Sequence, residues 1–566
     1  MNLTIPSKAM SKIGPWKNLF KLVPFIGKYR LSFMFGVGAV LASSILTVPI
    51  PYLTGILLDR VLLKDKNIND MFLLLGMMAV LYLVQYACSL LSGRLFVKIS
   101  YSIVNELKYS VMSKVLSLPM SYLSTTEKGY LQGRVAECNS VGNAFSPVII
   151  SMVLSVLNAM FAVVTMFAIN DKISCVVIVL VPVFIFLSKS SNKKFVSSTR
   201  EMMESSAVLS GEVFESMNGI EDIKILGGKE TQLFKFKSKM NELFHHNIKQ
   251  NKSLIFLTEN VSLLNNLFTL IILFISGILI LKGQFTVGMY TTFSLYTAKV
   301  FASAQSITSL NTILKPVCLS IERIYQLLDM EDENSGKVAE LDSRIETIEF
   351  LHVGYRYRTD LPLVFSNLTF SLTRGDKVLL LGDNGTGKST LIKLLLGLYQ
   401  PAYGIIRFNG IHASSIQSDS LRQRIGVVSQ STFLFRGTVL DNILYGQNGN
   451  NRSTVEDLID ELGLKEYIGR MPKGLDTEIN QNTSGVSGGQ AQIIAFIRAM
   501  LAEKDVLILD EPTANVDEET RRIIIDALRE QRYAGVLIVI SHQTDGMDFF
   551  NKTIHMTKTL LNHGTN

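Results

Sequence analysis

Cysteine, tryptophan and early acidic residues are scarce in this 566-residue sequence. The four cysteines, Cys88, Cys138, Cys175 and Cys318, show no C-x-x-C or metal-type spacing. Neither a disulfide framework nor a zinc site is indicated, and the thiols read as packing groups. The first 30 residues hold six Lys or Arg and no Asp or Glu. They carry no secretory signal, because the first apolar run starts near Leu31 and is too long for a signal core. The single tryptophan, Trp16, falls in an amphipathic stretch over 15–23 and is placed for a membrane interface. A net charge of +7 alone would suit nucleic acid, but its distribution argues for membrane orientation and against a nucleic-acid partner.

Long apolar runs, by contrast, are plentiful before residue 312. Six lie near 31–57, 71–92, 146–169, 173–188, 257–281 and 286–310. Each is about long enough for a helix to cross a ~30 Å hydrocarbon core, and the short fourth must borrow from its neighbours. Three connections are brief (58–70, 170–172, 282–285), and two are long and charged (93–145, 189–256). The N-terminus and the long connections carry six, six and eleven cations, against five in the brief ones. The positive-inside rule then puts both termini and both long connections in the cytoplasm. Each long connection reads as two helices around a break, at 124–129 and 217–221, so the helices form cytoplasmic stalks. Lys299 falls inside the hydrocarbon zone, where a charge faces a cavity or a partner. It is expected either to line a transport path and favour an anionic cargo group, or to snorkel or pair with Glu259.

The organising stretch is Gly382-Asp383-Asn384-Gly385-Thr386-Gly387-Lys388-Ser389, which fits G-x-x-x-x-G-K-[ST]. Its backbone N–H groups are of the kind that wrap a nucleotide's phosphates. Lys388 would reach the outer phosphates, and Ser389 would help hold Mg²⁺. The strand-like Lys377-Val378-Leu379-Leu380-Leu381 runs into the loop, and a helix from Thr390 follows. Downstream, Val506-Leu507-Ile508-Leu509 ends in Asp510, read as a magnesium-site group, and Glu511, read as the group that polarises attacking water. Gln430 follows an apolar run, and His542, after a strand, can donate to a γ-phosphate. Ser487-Gly488-Gly489-Gln490 opens a helix and offers a second phosphate cradle. One nucleotide does not need two cradles from one domain, so the second reads as serving a nucleotide held by a partner subunit.

On these motifs the chain resembles an ATP-binding-cassette exporter half-transporter over nearly its full length. The resemblance implies a multidomain membrane protein: an all-α six-helix transmembrane domain with long cytoplasmic extensions, then an α/β P-loop ATPase domain. The boundaries are an interfacial elbow over 1–30, membrane domain 31–330, linker 331–343 and nucleotide-binding domain 344–566, with coupling helices near 124–130 and 214–221. By position Tyr357 resembles the adenine-stacking aromatic, Gln430 the Q-loop, Ser487 to Gln490 the signature, Asp517 the D-loop aspartate and His542 the switch histidine. The family works as a dimer with two ATP molecules between P-loop and signature of opposite subunits. A homodimer in the cytoplasmic membrane, hydrolysing ATP with Mg²⁺, is expected, with lipids and the cargo as further partners.

The departures are specific. Val486 replaces the usual Leu before the signature, and Ala491 and Ile493 stand where many members are basic. Asn480-Gln481-Asn482-Thr483 replaces Gly-Glu-Arg-Gly, and Ala514-Asn515-Val516-Asp517 forms the D-loop. None removes a hydrolytic group. No N-terminal cysteine-protease domain precedes the elbow, so leader cleavage by this chain is not expected. Small-peptide export is the favoured reading. Lipid or lipid-linked glycan flipping, multidrug efflux and an ATP-gated channel or regulator are the alternatives.

Overall fold

The computed structural model describes residues 21–65, 67–126, 128–430, 432–447, 449–479, 486–512, 516–530, 534–541 and 549–556. They form two compact units: those up to Ser113 with Gly129–Asp329, and Lys114–Lys128 with those from Met330 on.

The first unit is helical. α1 (Val23–Lys28), α2 (Arg30–Thr47) and α3 (Pro49–Ile56) lead into a π-helical turn, Leu57–Asp65, before α4 (Ile68–Ser117). After the short α5 (Met120–Leu123) come α6 (Lys128–Gly142), α7 (Pro147–Ile169), α8 (Asp171–Asn218), the short α9 (Ile220–Ile225), α10 (Lys229–Leu281) and α11 (Val287–Leu328). Five helical stretches among the described residues are long and apolar enough to cross a membrane: Arg30–Lys64, Ile68–Ser117, Gly129–Ile169, Asp171–Asn218 and Lys229–Leu281. The sixth apolar run of the sequence forms the first half of α11 and is not among them. Thr291, Thr292, Ser294, Tyr296, Thr297 and Lys299 dilute its apolar character, and several of them have structural partners described below. The short fourth run is carried by the 48-residue α8, about 70 Å long at 1.5 Å per residue.

Two brief connections are fixed by side-chain caps. Asn170 Oδ1 accepts from Ile173 N at 3.1 Å, and Thr286 Oγ1 accepts from Met289 N at 3.1 Å. Such caps satisfy N–H groups that a helix start leaves without partners. Each long connection carries a short helix beside its break: α5 just before the non-helical 124–126, and α9 just after the non-helical Gly219. Pro119, extended at ψ 143°, stops α4 before the polar Ser-Thr-Thr run is reached. Gly219 ends α8, and Gly227, at φ +64°, turns the chain into α10.

The second unit is α/β. Antiparallel strands β1 (Thr347–Tyr355), β2 (Phe365–Thr373), β4 (Tyr403–Phe408) and β5 (Ile411–His412) form one sheet, ordered β2-β1-β4-β5. A parallel sheet is ordered β11-β3-β10-β9-β6, from β3 (Lys377–Leu381), β6 (Ile425–Val428), β9 (Val506–Asp510), β10 (Val536–Ile540) and β11 (Lys552–His555). The minor pair β7 (Gly437–Thr438) and β8 (Glu478–Ile479) completes the strands. Every residue of β9 and β10 is buried, as strands covered on both faces require. The helices are α12 (Lys388–Leu395), α13 (Ser418–Arg424), α14 (Val439–Ile443), α15 (Arg452–Glu461), α16 (Lys465–Gly469), α17 (Gly488–Leu501) and α18 (Glu518–Glu530). The stretch 331–343, polar by composition, is strapped onto this unit. Leu341 is buried, its N–H reaches Ser420 Oγ at 2.8 Å, and Glu333 grips Arg422 with both carboxylate oxygens.

Candidate nucleotide site and the membrane helices

Strand β3 delivers the chain to the glycine-rich loop, and α12 departs from it. Gly387 lies at φ +98°, and a Cβ there would come within 2.7 Å of Val364 Cγ1 and 2.8 Å of Phe365 Cδ1. Only glycine combines that backbone with that space. Lys388 is buried, and its Nζ donates to the carbonyls of Gly382 and Asp383, the latter at 3.3 Å. The ammonium is thus folded back across the loop that would receive phosphate. Thr386 is buried and donates to Asp383 O at 2.9 Å, while Asp383, Asn384 and Gly385 line the open side of the loop. Thr390 Oγ1 lies 2.9 Å from the Tyr357 hydroxyl. The Tyr357 ring packs edge-on against Tyr355 and Tyr399, with Lys393 Nζ 5.5 Å from its centroid. An exposed aromatic is thereby placed beside the first turn of α12.

The parallel register brings the distant motifs to this loop. β9 pairs with β10 and β6, and its last residue, Asp510, is buried. Ser389 Oγ donates to Asp510 Oδ2 at 3.3 Å. Burial pushes the Asp510 carboxyl above its ordinary range, the adjacent Glu511 charge adds to this, and the Ser389 bond opposes it. Gln430 Nε2 donates to Glu511 Oε2 at 2.6 Å. Glu511 itself adopts φ +49°, an uncommon backbone for a non-glycine residue, and its N–H is tied to Ile540 O at 2.9 Å. A group the motifs did not reveal holds the other side: Gln492, buried on α17, donates from Nε2 to Glu511 O at 3.0 Å. Its signal was its place one helical turn into α17, which sequence alone does not connect to Glu511.

Ser487 and Gln490 form a reciprocal capping box, with Gln490 N to Ser487 Oγ at 3.2 Å and Ser487 N to Gln490 Oε1 at 2.8 Å. A Cβ on Gly488 would meet nothing within 4 Å, and one on Gly489 would touch Val516 at 3.5 Å. This helix start leaves open space at Gly488 and lies next to the segment bearing Asp517, whose carbonyl accepts from Arg521 N. Ile493, where relatives of the motif are basic, is fully buried in the core beside this helix. His542, Asn480 to Thr483, Ala514 and Asn515 lie outside the described residues.

The described residues contain no cluster of three or more His, Cys, Asp or Glu suited to a metal. A hydroxyl (Ser389), an amide (Gln430) and a buried carboxylate (Asp510) offer hard oxygen donors instead, which fits Mg²⁺ completing its shell with phosphate and water.

In the membrane unit, Lys299 Nζ donates to Thr47 O at 2.9 Å. The donor that would serve this carbonyl within a helix is residue 51, which is proline and has no N–H. Its neighbours on α11 act alike: Tyr296 Oη donates to Val48 O at 2.6 Å, and Thr292 Oγ1 to Pro51 O at 3.0 Å. Lys299 thus serves the one carbonyl that Pro51 frees, as hydrocarbon demands, whereas Val48 O and Pro51 O, whose in-helix donors at Tyr52 and Gly55 keep their N–H, gain an added side-chain donor from α11. This bond to Thr47 O gives Lys299 a structural partner within the membrane unit. Beside it, a cavity of about 640 Å³ is lined by Leu46, Tyr52, Phe161, Thr165, Ile169 and Tyr296, among others.

Comparison with known proteins agrees with this geometry. The ABC transporter transmembrane region family matches residues 33–304, and the ABC transporter family matches 365–514. The chain is 25% identical over 533 residues to the mesentericin-Y105 transport/processing ATP-binding protein MesD of Leuconostoc mesenteroides, covering 93% of this chain and 73% of that one. It is 24% identical over 566 residues to an ATP-dependent lipid A-core flippase of Xanthomonas euvesicatoria, covering 100% and 96%. Its fold is similar to a bacterial Atm1-family ABC exporter solved with ATP bound, at TM-score 0.81, 20% identity and 94% coverage of both chains. With a membrane region and an ATP-binding domain fused in one polypeptide, the chain belongs to the ABC transporters as an exporter half-transporter, an ATPase coupled to transport across the cell membrane.

Proposed function

We propose that two copies of this chain form a homodimer that exports a small peptide from the cytoplasm, by alternating access driven by ATP binding and hydrolysis. The observation that carries the dimeric reading is the pair of cradles on one chain: a P-loop facing Asp510 and Glu511, and an open capped helix start at Ser487. Closure of the dimer would place the Ser487–Gln490 turn and Asp517 of one copy over the nucleotide of the other. Lys388 and the loop amides of Gly382 to Thr390 would then hold the phosphates, and Tyr357 the base. Ser389, Gln430 and Asp510 would hold Mg²⁺, which neutralises phosphate charge when bound. Glu511, held by Gln430 and Gln492, would polarise the attacking water, with His542 on the γ-phosphate. Both termini and the ATPase unit would face the cytoplasm, given the cation bias of the long connections.

Peptide cargo is supported by the likeness to MesD, named for mesentericin transport, and by the apolar, aromatic-lined cavity between α2, α3, α7 and α11. Lipid flipping is a second reading, favoured by the flippase relative that spans the whole chain. The test is ATP-dependent uptake into inside-out vesicles offered labelled peptide, labelled lipid and a fluorescent cation in parallel. Peptide accumulation that disappears in Glu511→Gln supports the proposal. Lipid or cation movement instead would replace the cargo.

A further inference from the structure

We propose that the cleft between α8 and α10, just beyond their apolar runs, binds the headgroup of an anionic phospholipid of the cytoplasmic leaflet. The two helices run antiparallel here: Asn260 Nδ2 bonds Ser191 Oγ at 3.1 Å, and Lys249 Nζ bonds Glu201 Oε2 at 2.6 Å. Between those two rungs lies a cavity of about 380 Å³ lined by Ser190, Lys193, Lys194, Ser197, Lys249 and Ser253, among others. Three ammonium groups and several hydroxyls face it against one carboxylate, Glu201. That carboxylate is already engaged by Lys249, with His246 Nδ1 also 3.5 Å away. The cleft therefore keeps a net positive charge. Lys194 Nζ stands 5.5 Å over the Phe256 ring, so its charge is presented beside an aromatic face.

The surroundings match an amphiphile rather than a soluble anion. Toward the membrane on α8, Phe186 is 76% exposed; on α10, Ile255 and Phe256 are 60% and 51% exposed. Acyl chains laid over these side chains would carry a phosphate to Lys193 and Lys194. Basic pockets between membrane helices on the cytoplasmic side are suited to such headgroups, at roughly 1 kcal/mol or about fivefold per lysine. The site rests on the cytoplasmic placement of the stalks and is independent of the cargo.

The experiment uses the full chain in phosphatidylcholine liposomes containing spin-labelled phosphatidylglycerol or phosphatidylcholine, and measures the protein-restricted fraction of each. Wild type is expected to prefer phosphatidylglycerol about fivefold or more, an effect weakened by salt. Lys193→Gln/Lys194→Gln should lose most of that preference while retaining ATPase activity, which reports an intact fold. Lys193→Arg/Lys194→Arg should keep it. Lys235→Gln/Lys237→Gln removes the same charge from α10 away from the cleft and should also keep it. Equal association of both lipids with wild type would overturn the proposal. So would equal losses in the cleft variant and the Lys235/Lys237 control, or retention of the preference in the cleft variant.

Discussion

If the ammonium of Lys299 serves chiefly to satisfy the carbonyl that Pro51 leaves open, its worth must depend on that proline. Replacing Lys299 with Met keeps length and apolar bulk but removes the donor to Thr47 O, 2.9 Å away. A buried acceptor left unpaired costs about 1–3 kcal/mol in protein interiors, whereas hydrogen bonds between membrane helices average nearer ~0.6 kcal/mol. We therefore expect Lys299→Met to destabilise the membrane unit by about 1 kcal/mol. In a Pro51→Ala background the backbone N–H gained at position 51 can serve Thr47 O itself, one helical turn away. There the same Lys299→Met change should cost close to nothing, giving a coupling energy of about 1 kcal/mol in the double-mutant cycle. Unfolding in detergent–SDS mixtures, followed by far-UV circular dichroism, supplies the four free energies. An equal cost in both backgrounds would refute the reasoning. Unchanged stability together with altered cargo-stimulated ATPase would return Lys299 to the transport path.

Three further outcomes follow from contacts in the nucleotide unit. Glu333 and Arg422 form a two-pronged, partly buried pair, and Arg422 Nε also holds Leu396 O at the end of α12 at 3.2 Å. Glu333→Gln or Arg422→Gln should each lower stability by roughly 1–2 kcal/mol, with the exchanged pair Glu333→Arg/Arg422→Glu recovering part of it in thermal melts. Gly387→Ala, strained at φ +98° and crowded by Val364, should weaken binding of a fluorescent ATP analogue at least about tenfold, a cost of about 1.4 kcal/mol or more. Gln492→Leu removes the bond to Glu511 O, and should lower the ATPase kcat several-fold with little change in nucleotide affinity.

What could be read from the sequence was what is local. The phosphate loop declares itself because its glycines, Lys388 and Ser389 are consecutive, and Asp510–Glu511 because a buried strand ends in two carboxylates. Parallel pairing of β9 with β6 and β10 then brings Gln430 and Glu511 together. Contacts between distant segments were illegible: Lys299 and Thr47 are 252 positions apart, and Gln492 touches a backbone carbonyl rather than a motif side chain. The polar composition of 331–343 likewise does not reveal that Glu333, Ala339 and Leu341 fasten this stretch to α13 and its surroundings. Around the breaks, Pro119 starts the short α5 ahead of the non-helical 124–126, and Gly219 separates α8 from α9.

The proposed homodimer shares two nucleotides between its chains, each held by the P-loop of one copy and the Ser487 helix start of the other. The direct measurement is the amount of ATP retained per chain by purified Glu511→Gln protein after rapid removal of free nucleotide. We expect about one ATP per chain, retained only in a dimer, and loss of retention when Ser487→Arg is added although initial ATP binding at the P-loop persists. Retention by a monomer, or retention that ignores Ser487→Arg, would contradict it.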